Sequence, residues 1–197
     1  MKEPDPHGPI GLTFGAEEHA FDPNRVHPAY QAVIRAWLDF GVEFVIIGGV
    51  AMALLWGERV TRDLDAVIRD LRAAIQALYQ TGFCVVSRPV PSEPGLFAVV
   101  ETSDAALAAL EQRPPLAFRT VHRDAGVTID LWAKPPADLS FDDLIAEGER
   151  VLLADLPILR ASVGHLLRMK RHSATSAPSR AARDLQDIEF LERLLAR

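Results

Sequence analysis

The 197-residue sequence contains a single cysteine, Cys84. One thiol provides neither a disulfide framework nor a cysteine-based metal cluster, and so low a cysteine content favours a reducing compartment. No apolar run approaches the roughly 20 residues that a membrane-spanning helix needs. Residues 1–24 are rich in proline, glycine and acidic side chains and lack an apolar signal core. We therefore expect a cytoplasmic protein without a membrane partner.

Motifs of several common enzyme classes are also missing. The sequence has no GxxxxGK[ST] phosphate loop, no GxGxxG dinucleotide fingerprint and no G-x-S-x-G nucleophile turn. Its six histidines form no HxxxH pair and have no cysteine partner, so zinc chemistry is not predicted. The net charge of −6 argues against a dedicated nucleic-acid-coating surface, although a local basic patch is compatible with it.

Hydrophobic periodicity and turn residues predict strands that alternate with helices, followed by a largely helical tail. Strands are predicted at 44–47, 60–68, 83–88, 96–100, 117–122 and 127–132. Helices are predicted at 27–40, 50–56, 70–80, 104–113, 141–149, 162–172 and 180–195. Ser103 is the expected cap of the fourth helix, residues 123–126 are a hairpin connection, and a short strand pair is expected around Leu156-Pro157.

This order of elements predicts an α+β fold with a mixed β-sheet flanked by helices and a helical C-terminal part. We divide the chain into a loosely structured lead-in at 1–26, an α/β core at 27–137, and a mainly helical C-terminal part at 138–197 that packs on the core. The hydrophobic content of 49% is sufficient for a core of this size.

Residues 43–68, EFVIIGGVAMALLWGERVTRDLDAVI, carry the most informative pattern. Asp63 and Asp65 lie two apart on a predicted strand, so both side chains point to one face. Adjacent carboxylates repel each other unless a cation lies between them, and Mg²⁺ accepts one or two carboxylates together with substrate phosphates. The alternative is a pair of surface aspartates on an edge strand. Asp130, in the apolar strand VTIDLW, is a third candidate ligand, with a salt bridge to an arginine as its alternative.

A glycine pair precedes the two aspartates. Gly48 and Gly49 follow one strand and precede a helix, where backbone N–H groups can approach a phosphate closely. A simple tight turn is the alternative. Arg59 and Arg62 flank the aspartate strand, and each is either a phosphate contact or a solvated side chain.

Together, Gly48-Gly49, Asp63-Leu64-Asp65 and Asp130 resemble the nucleotidyltransferase superfamily, whose signature is Gly-Gly/Ser followed by Asp-x-Asp/Glu. More narrowly, GGVAMALLWGERVTRDLD is similar to the AbiEii-type nucleotidyltransferases, toxins of abortive-infection and toxin–antitoxin systems. That branch has an intervening Gly-x-x-Arg-x-Thr and a C-terminal motif of lysine, Arg/Lys-Asp and Asp. The matching residues are Gly57, Arg59 and Thr61 for the first motif, and Lys170, Arg183-Asp184 and Asp187 for the second.

The resemblance implies a nucleotidyltransferase-like fold and an enzyme that uses magnesium, as one or two Mg²⁺ ions, to transfer an NMP from an NTP. The implied metal ligands are Asp63, Asp65 and Asp130, and the implied nucleotide contacts are Gly48, Gly49, Arg59, Thr61 and Lys170. The implied catalytic residues are Asp63, Asp65, Asp130, Lys170 and Asp184. A surface role for Lys170 and a helical Arg183–Asp187 ion pair are the alternatives for the C-terminal motif.

The acceptor stays open between tRNA, an antibiotic-type small molecule and a protein side chain. A cognate antitoxin protein is a further partner that the resemblance implies. The non-enzymatic alternative is a degenerate nucleotidyltransferase fold that serves only as a binding module, and the intact carboxylates argue against it.

Overall fold

The computed structural model describes residues 10–11, 26–57, 59, 61, 63–89, 96–112, 115–177 and 180–197. Most of the predicted lead-in at 1–26 therefore lies outside the described residues, as does Arg62. No helix in the described ranges combines the length and the apolar character needed to cross a membrane.

The described residues form nine strands and seven helices. The strands are β1 Ile10–Gly11, β2 Phe44–Ile47, β3 Asp63–Ile68, β4 Phe83–Pro89, β5 Leu96–Val99, β6 Ala117–His122, β7 Thr128–Trp132, β8 Glu149–Leu153 and β9 Leu156–Arg160. The helices are α1 Pro28–Asp39, α2 Gly48–Leu55, α3 Leu71–Gln80, α4 Ser103–Gln112, α5 Phe141–Glu147, α6 Val163–Ser176 and α7 Ala181–Leu195.

All nine strands belong to one sheet with the order β1-β5-β4-β6-β7-β3-β2-β9-β8. The β3–β7 and β2–β9 pairs are parallel, whereas the other neighbouring pairs are antiparallel. The predicted α+β fold with a mixed sheet is thereby confirmed. The hairpin of β8 and β9 adds two strands beside β2, and α6 and α7 follow it and pack against each other.

The core lies around the middle strands of the sheet. All four residues of β2 are buried, which explains why this strand is a continuous apolar run and not an alternating one. Helix α1 is attached to its neighbours by two hydrogen bonds from aromatic side chains. The hydroxyl of Tyr30 donates to the carbonyl of Thr128 at 3.0 Å, and Nε1 of Trp37 donates to the carbonyl of Ala74 at 3.2 Å. Both aromatic residues thus satisfy their polar atoms while they bury apolar surface.

Several element boundaries differ from the sequence predictions; for example, α6 continues to Ser176, four residues beyond its predicted end at 172. Ser103 is the first residue of α4 and not its cap, because Oγ1 of Thr102 accepts the hydrogen bond from the backbone N–H of Ala105 at 3.3 Å. Glu149 begins β8 and does not extend α5. The turn of the last hairpin lies at Ala154-Asp155, where both residues have positive φ, as a two-residue connection of type I′ requires.

Candidate active site

Two neighbouring strands bring three carboxylates to one face of the sheet. Strands β3 and β7 pair in parallel with Asp65 opposite Asp130, and Asp63 precedes Asp65 by two residues on β3. The intervening Leu64 is buried on the other face. Strand β3 lies between β7 and β2, so the aspartates do not occupy the edge strand that the surface alternative needed.

The environment of Asp65 disfavours a negative charge. Burial and, after it, repulsion from Asp63 and Asp130 raise the pKa of Asp65 from 3.8 to about 7. Hydrogen bonds from Nε1 of Trp132, at 3.5 Å, and from the backbone N–H of Gly49 offset only part of this effect. The site therefore holds a carboxylate that a nearby cation would stabilise in its ionised form.

Arg119 is a site residue that the sequence analysis did not identify. It lies on β6 directly opposite Asp130. Its Nε donates to Oδ1 of Asp130 at 2.8 Å and its Nη2 donates to Oδ2 at 2.7 Å. This hydrogen-bonded pair raises the pKa of Arg119 further above its usual range, so the guanidinium stays charged. The structure thus shows the arginine salt bridge that was the alternative interpretation of Asp130.

The two glycines allow α2 to begin directly against the carboxylates. The helix starts at Gly48, two residues earlier than predicted. Gly48 has a φ of +63°, and a Cβ atom there would lie 2.1 Å from Oδ2 of Asp65. A Cβ atom at Gly49 would lie 2.1 Å from Oγ1 of Thr61. Both positions therefore need glycine for close packing, whether or not a phosphate binds there.

Arg59 and Thr61 connect the aspartate strand to its surroundings. The hydroxyl of Thr61 donates to the backbone carbonyl oxygen and to Oδ1 of Asp63, each of which lies 3.3 Å from Oγ1. Nε of Arg59 donates to Oδ1 of Asp187 on α7 at 2.8 Å, and its Nη2 donates to Oδ2 at 3.1 Å. The motif that precedes β3 thus contacts one predicted metal ligand and the C-terminal helix.

The C-terminal motif forms a largely buried ion-pair network. Nζ of Lys170 on α6 lies 2.9 Å from Oδ1 of Asp184 and 2.7 Å from Oδ2 of Asp187, both on α7. Asp184 and Asp187 are buried, and the side chain of Lys170 is only 13% exposed, so Lys170 is not a surface lysine. Oδ2 of Asp184 has no hydrogen-bond partner among the described residues.

A cleft of about 380 Å³ separates the aspartate strand from α6 and α7. Its volume falls within the range of roughly 300–1,000 Å³ that is typical of small-molecule sites. Asp130 and Asp187 do not line it. The predicted site residues that do line it are Gly48, Gly49, Arg59, Thr61, Asp63, Asp65, Lys170 and Asp184.

Two of the residues that line this cleft, Asp63 and Asp65, are suited to bind a divalent cation together. Asp63 and Asp65 supply hard oxygen donors next to each other, and a cation between them would relieve the repulsion that raises the pKa of Asp65. Asp130 differs because both its oxygens accept hydrogen bonds from Arg119. In the ranges that the structure describes, no three carboxylate, imidazole or thiol side chains are arranged to hold a metal ion together.

No protein-family model matches the sequence, and no curated protein matches it. Solved structures do match the fold. One is the lincosamide antibiotic adenylyltransferase LnuA with bound lincomycin, at 16% identity and a TM-score of 0.53, over 86% of this chain and 98% of that one. Another is ANT(2'')-Ia in complex with adenylyl-2''-tobramycin, at 11% identity and a TM-score of 0.53, over 84% of this chain and 87% of that one.

The chain has a nucleotidyltransferase-like fold. The fold that the sequence resemblance implied is therefore confirmed. At these identities the likeness concerns the fold alone, and the roles of the individual site residues stay predictions.

The raised pKa of Asp65 gives a prediction for the metal-free protein. Because the folded state holds the Asp65 proton up to about pH 7 and the unfolded chain releases it near 3.8, the free energy of unfolding should fall as pH rises between these values. Asp65→Asn removes this loss of unfolding free energy, because an amide side chain does not ionise. We expect the variant to exceed the wild type by about 4 kcal/mol at about pH 8 and to match it near pH 4.

Urea unfolding in the presence of a chelator measures this difference. Asp124→Asn is the control, because Asp124 is exposed in the β6–β7 connection. Parallel stability profiles of Asp65→Asn and the wild type across this pH range would contradict the prediction.

Proposed function

We propose that this protein is a metal-dependent nucleotidyltransferase that transfers an NMP from an NTP to an acceptor hydroxyl. The observation that carries the proposal is the cleft, with Asp63 and Asp65 side by side on its floor and Lys170 on the opposite wall. Phosphoryl transfer depends mainly on positioning and on charge stabilisation. The two carboxylates and the ammonium group supply both signs of charge around one space of ligand size.

In this proposal, Asp63 and Asp65 hold Mg²⁺, which would neutralise the phosphate oxygens during in-line displacement. Gly48 and Gly49 let the triphosphate approach the start of α2, where N–H groups favour anions. Thr61 orients Asp63 through its hydroxyl. Of the one or two ions that the resemblance implies, the proposal needs one. Asp130, which was predicted as a metal ligand, takes a different role in it.

We assign Asp130 the role of general base for the acceptor. Each carboxylate oxygen keeps a lone pair after it accepts one hydrogen bond from Arg119. The acceptor oxygen forms a bond to the α-phosphorus, its proton passes to Asp130, and the bond from the α-phosphorus to the bridging oxygen breaks, so that pyrophosphate leaves.

Lys170 is assigned to the triphosphate, where an ammonium group neutralises developing charge. Its two aspartate partners hold Nζ at the cleft wall, which supports a role for Asp184 in orienting the lysine. Asp184 lines the cleft and Asp187 does not, so we propose Asp184 as the functional acid of this motif.

The acceptor is proposed on two separate grounds. The AbiEii resemblance favours tRNA, a toxin role and a cognate antitoxin. The structural neighbours favour an antibiotic-type small molecule, because one of them was determined with adenylylated tobramycin and the other with lincomycin. A protein side chain is a further acceptor to test.

One transfer experiment tests the proposal. The wild type is incubated with Mg²⁺ and each α-labelled NTP in turn, together with a tRNA pool, a set of aminoglycosides and lincosamides, or a protein extract. We expect label in one acceptor pool, and we expect the label to be lost with a chelator and in Asp65→Asn but kept in Asp124→Asn. Undiminished transfer by Asp65→Asn would rule out the assigned centre. Absence of both transfer and calorimetric NTP binding would instead favour the binding-module alternative.

A further inference from the structure

Arg119 places a permanent positive charge inside the carboxylate cluster. Its guanidinium forms a two-point pair with Asp130, at 2.8 Å and 2.7 Å, and its Nη2 also lies 3.6 Å from Oδ2 of Asp63. The side chain is 32% exposed, so protein surrounds most of it. A planar guanidinium that meets a carboxylate through two hydrogen bonds fixes the plane of that carboxylate as well as its charge.

A second metal ion held by Asp63 and Asp130 would have to bind in the space that Arg119 fills. Two-metal phosphoryl-transfer sites hold their ions roughly 3.5–4 Å apart between shared acidic ligands. Here Nη2 of Arg119 contacts Asp130 and approaches Asp63, so the guanidinium occupies the space between these two carboxylates. A cation bound there would have to displace Arg119 or lie directly against its positive charge.

The local charge leads to the same conclusion. When all three carboxylates are ionised, Arg119 reduces the cluster to two negative charges, which a single divalent cation neutralises. A second divalent cation would lack a counter-charge from the protein, and at contact distances that deficit is large because solvent screens partly buried groups weakly.

We infer that Arg119 stands in the place of a second metal ion, so that the site binds one divalent cation, between Asp63 and Asp65, while Asp130 is held as an oriented base. This inference rests on the proposed function. Arg119 is then a positioning residue, because it acts on the reaction through Asp130.

Counting bound Mn²⁺ tests the inference without nucleotide or acceptor. Metal-free protein is titrated with Mn²⁺ at about pH 8, and the free ion is followed by electron paramagnetic resonance. The variants are Arg119→Met, which removes the charge, Arg119→Lys, which keeps it without the two-point geometry, and Arg72→Met. Arg72 is an exposed arginine that pairs with Glu111 away from the cleft, so its loss controls for net charge.

We expect one Mn²⁺ per chain for the wild type, Arg119→Lys and Arg72→Met. For Arg119→Met we expect either a second Mn²⁺ or an affinity at least tenfold higher, because the cluster gains a full negative charge. Two ions or none in the wild type would overturn the inference, as would an Arg119→Met titration that matches the wild type. If Arg119→Met does not fold, the wild-type and Arg119→Lys counts decide the question.

Transfer assays separate this inference from the proposed function. Arg119→Lys should lower kcat at an unchanged NTP Kd, because Asp130 loses its fixed orientation and the cation site is kept. A protein that transfers NMP but holds two Mn²⁺ ions would refute only the role of Arg119. A protein that holds one Mn²⁺ and transfers nothing would refute the proposed function and leave the cation count intact.

Discussion

Gly48→Ala is expected to reduce NMP transfer about a hundredfold, since the Asp65 carboxylate or the start of α2 would be displaced. A Cβ atom at this position would lie 2.1 Å from Oδ2 and 2.6 Å from Cγ of Asp65, far inside contact distance. The clash can be relieved only if the carboxylate moves or if the first turn of α2 shifts away from β3. Movement of the carboxylate separates Asp65 from Asp63 and should lower Mn²⁺ affinity together with the transfer rate. A shift of α2 instead moves the N–H groups at the start of the helix away from both aspartates, which should lower the transfer rate.

Gly41→Ala is the matched control for this prediction. Gly41 has a φ of +65°, close to the +63° of Gly48, but a Cβ atom there meets nothing within 4 Å. Alanine in this left-handed conformation should cost about 1 kcal/mol of unfolding free energy and leave transfer unchanged. The difference between the two variants isolates the clash with Asp65. Normal transfer and Mn²⁺ affinity in folded Gly48→Ala would contradict the prediction.

The elements around the site could be predicted because their signals are local. Strand β2 has the bounds 44–47 that its apolar run predicted, and β6 and β7 form the hairpin that the residues 123–126 indicated. This hairpin also contained the information needed to find Arg119. If His122 and Val127 end the strands, counting back three residues from one and forward three from the other places Arg119 opposite Asp130.

Contacts between distant segments could not be predicted in the same way. Strand β9 pairs in parallel with β2, but no turn connects them, so nothing local specifies the partner or the register. The C-terminal part therefore extends the sheet, which the helical periodicity of its later residues did not indicate. Arg59 and Asp187 lie 128 residues apart, and only the packing of α7 on the core brings them together.

The alternatives for the C-terminal motif show the same limitation. An Arg183–Asp187 pair is the natural expectation from helical spacing. In the structure, Asp187 accepts two hydrogen bonds from Arg59 and forms an ion pair with Lys170. Helical spacing indicates which residues of one helix are neighbours, but it does not indicate which cations of other elements pack against that helix. Asp187 is buried because α6 packs on α7, and this packing is a tertiary contact that the local sequence does not specify.

Lys170→Met is expected to lower the free energy of unfolding by about 3 kcal/mol, because the loss of one partner leaves a buried charge uncompensated. Among the described residues, Lys170 is the cation that pairs with Asp184, whereas Asp187 also pairs with Arg59 and keeps this partner in the variant. Transfer should fall as well if Lys170 contacts the triphosphate. Urea unfolding and the transfer rate measure the two effects, and Lys134→Met is the control because Lys134 is exposed.

A double variant separates the structural role of Lys170 from its catalytic role. In Lys170→Met with Asp184→Asn, the uncompensated charge is removed, so at least about 1 kcal/mol of stability should return relative to the single variant. Transfer should not return, because no ammonium group is restored at the cleft wall. Recovery of both stability and transfer in the double variant would make Lys170 purely structural. Wild-type stability of Lys170→Met would show that the network contributes little to folding.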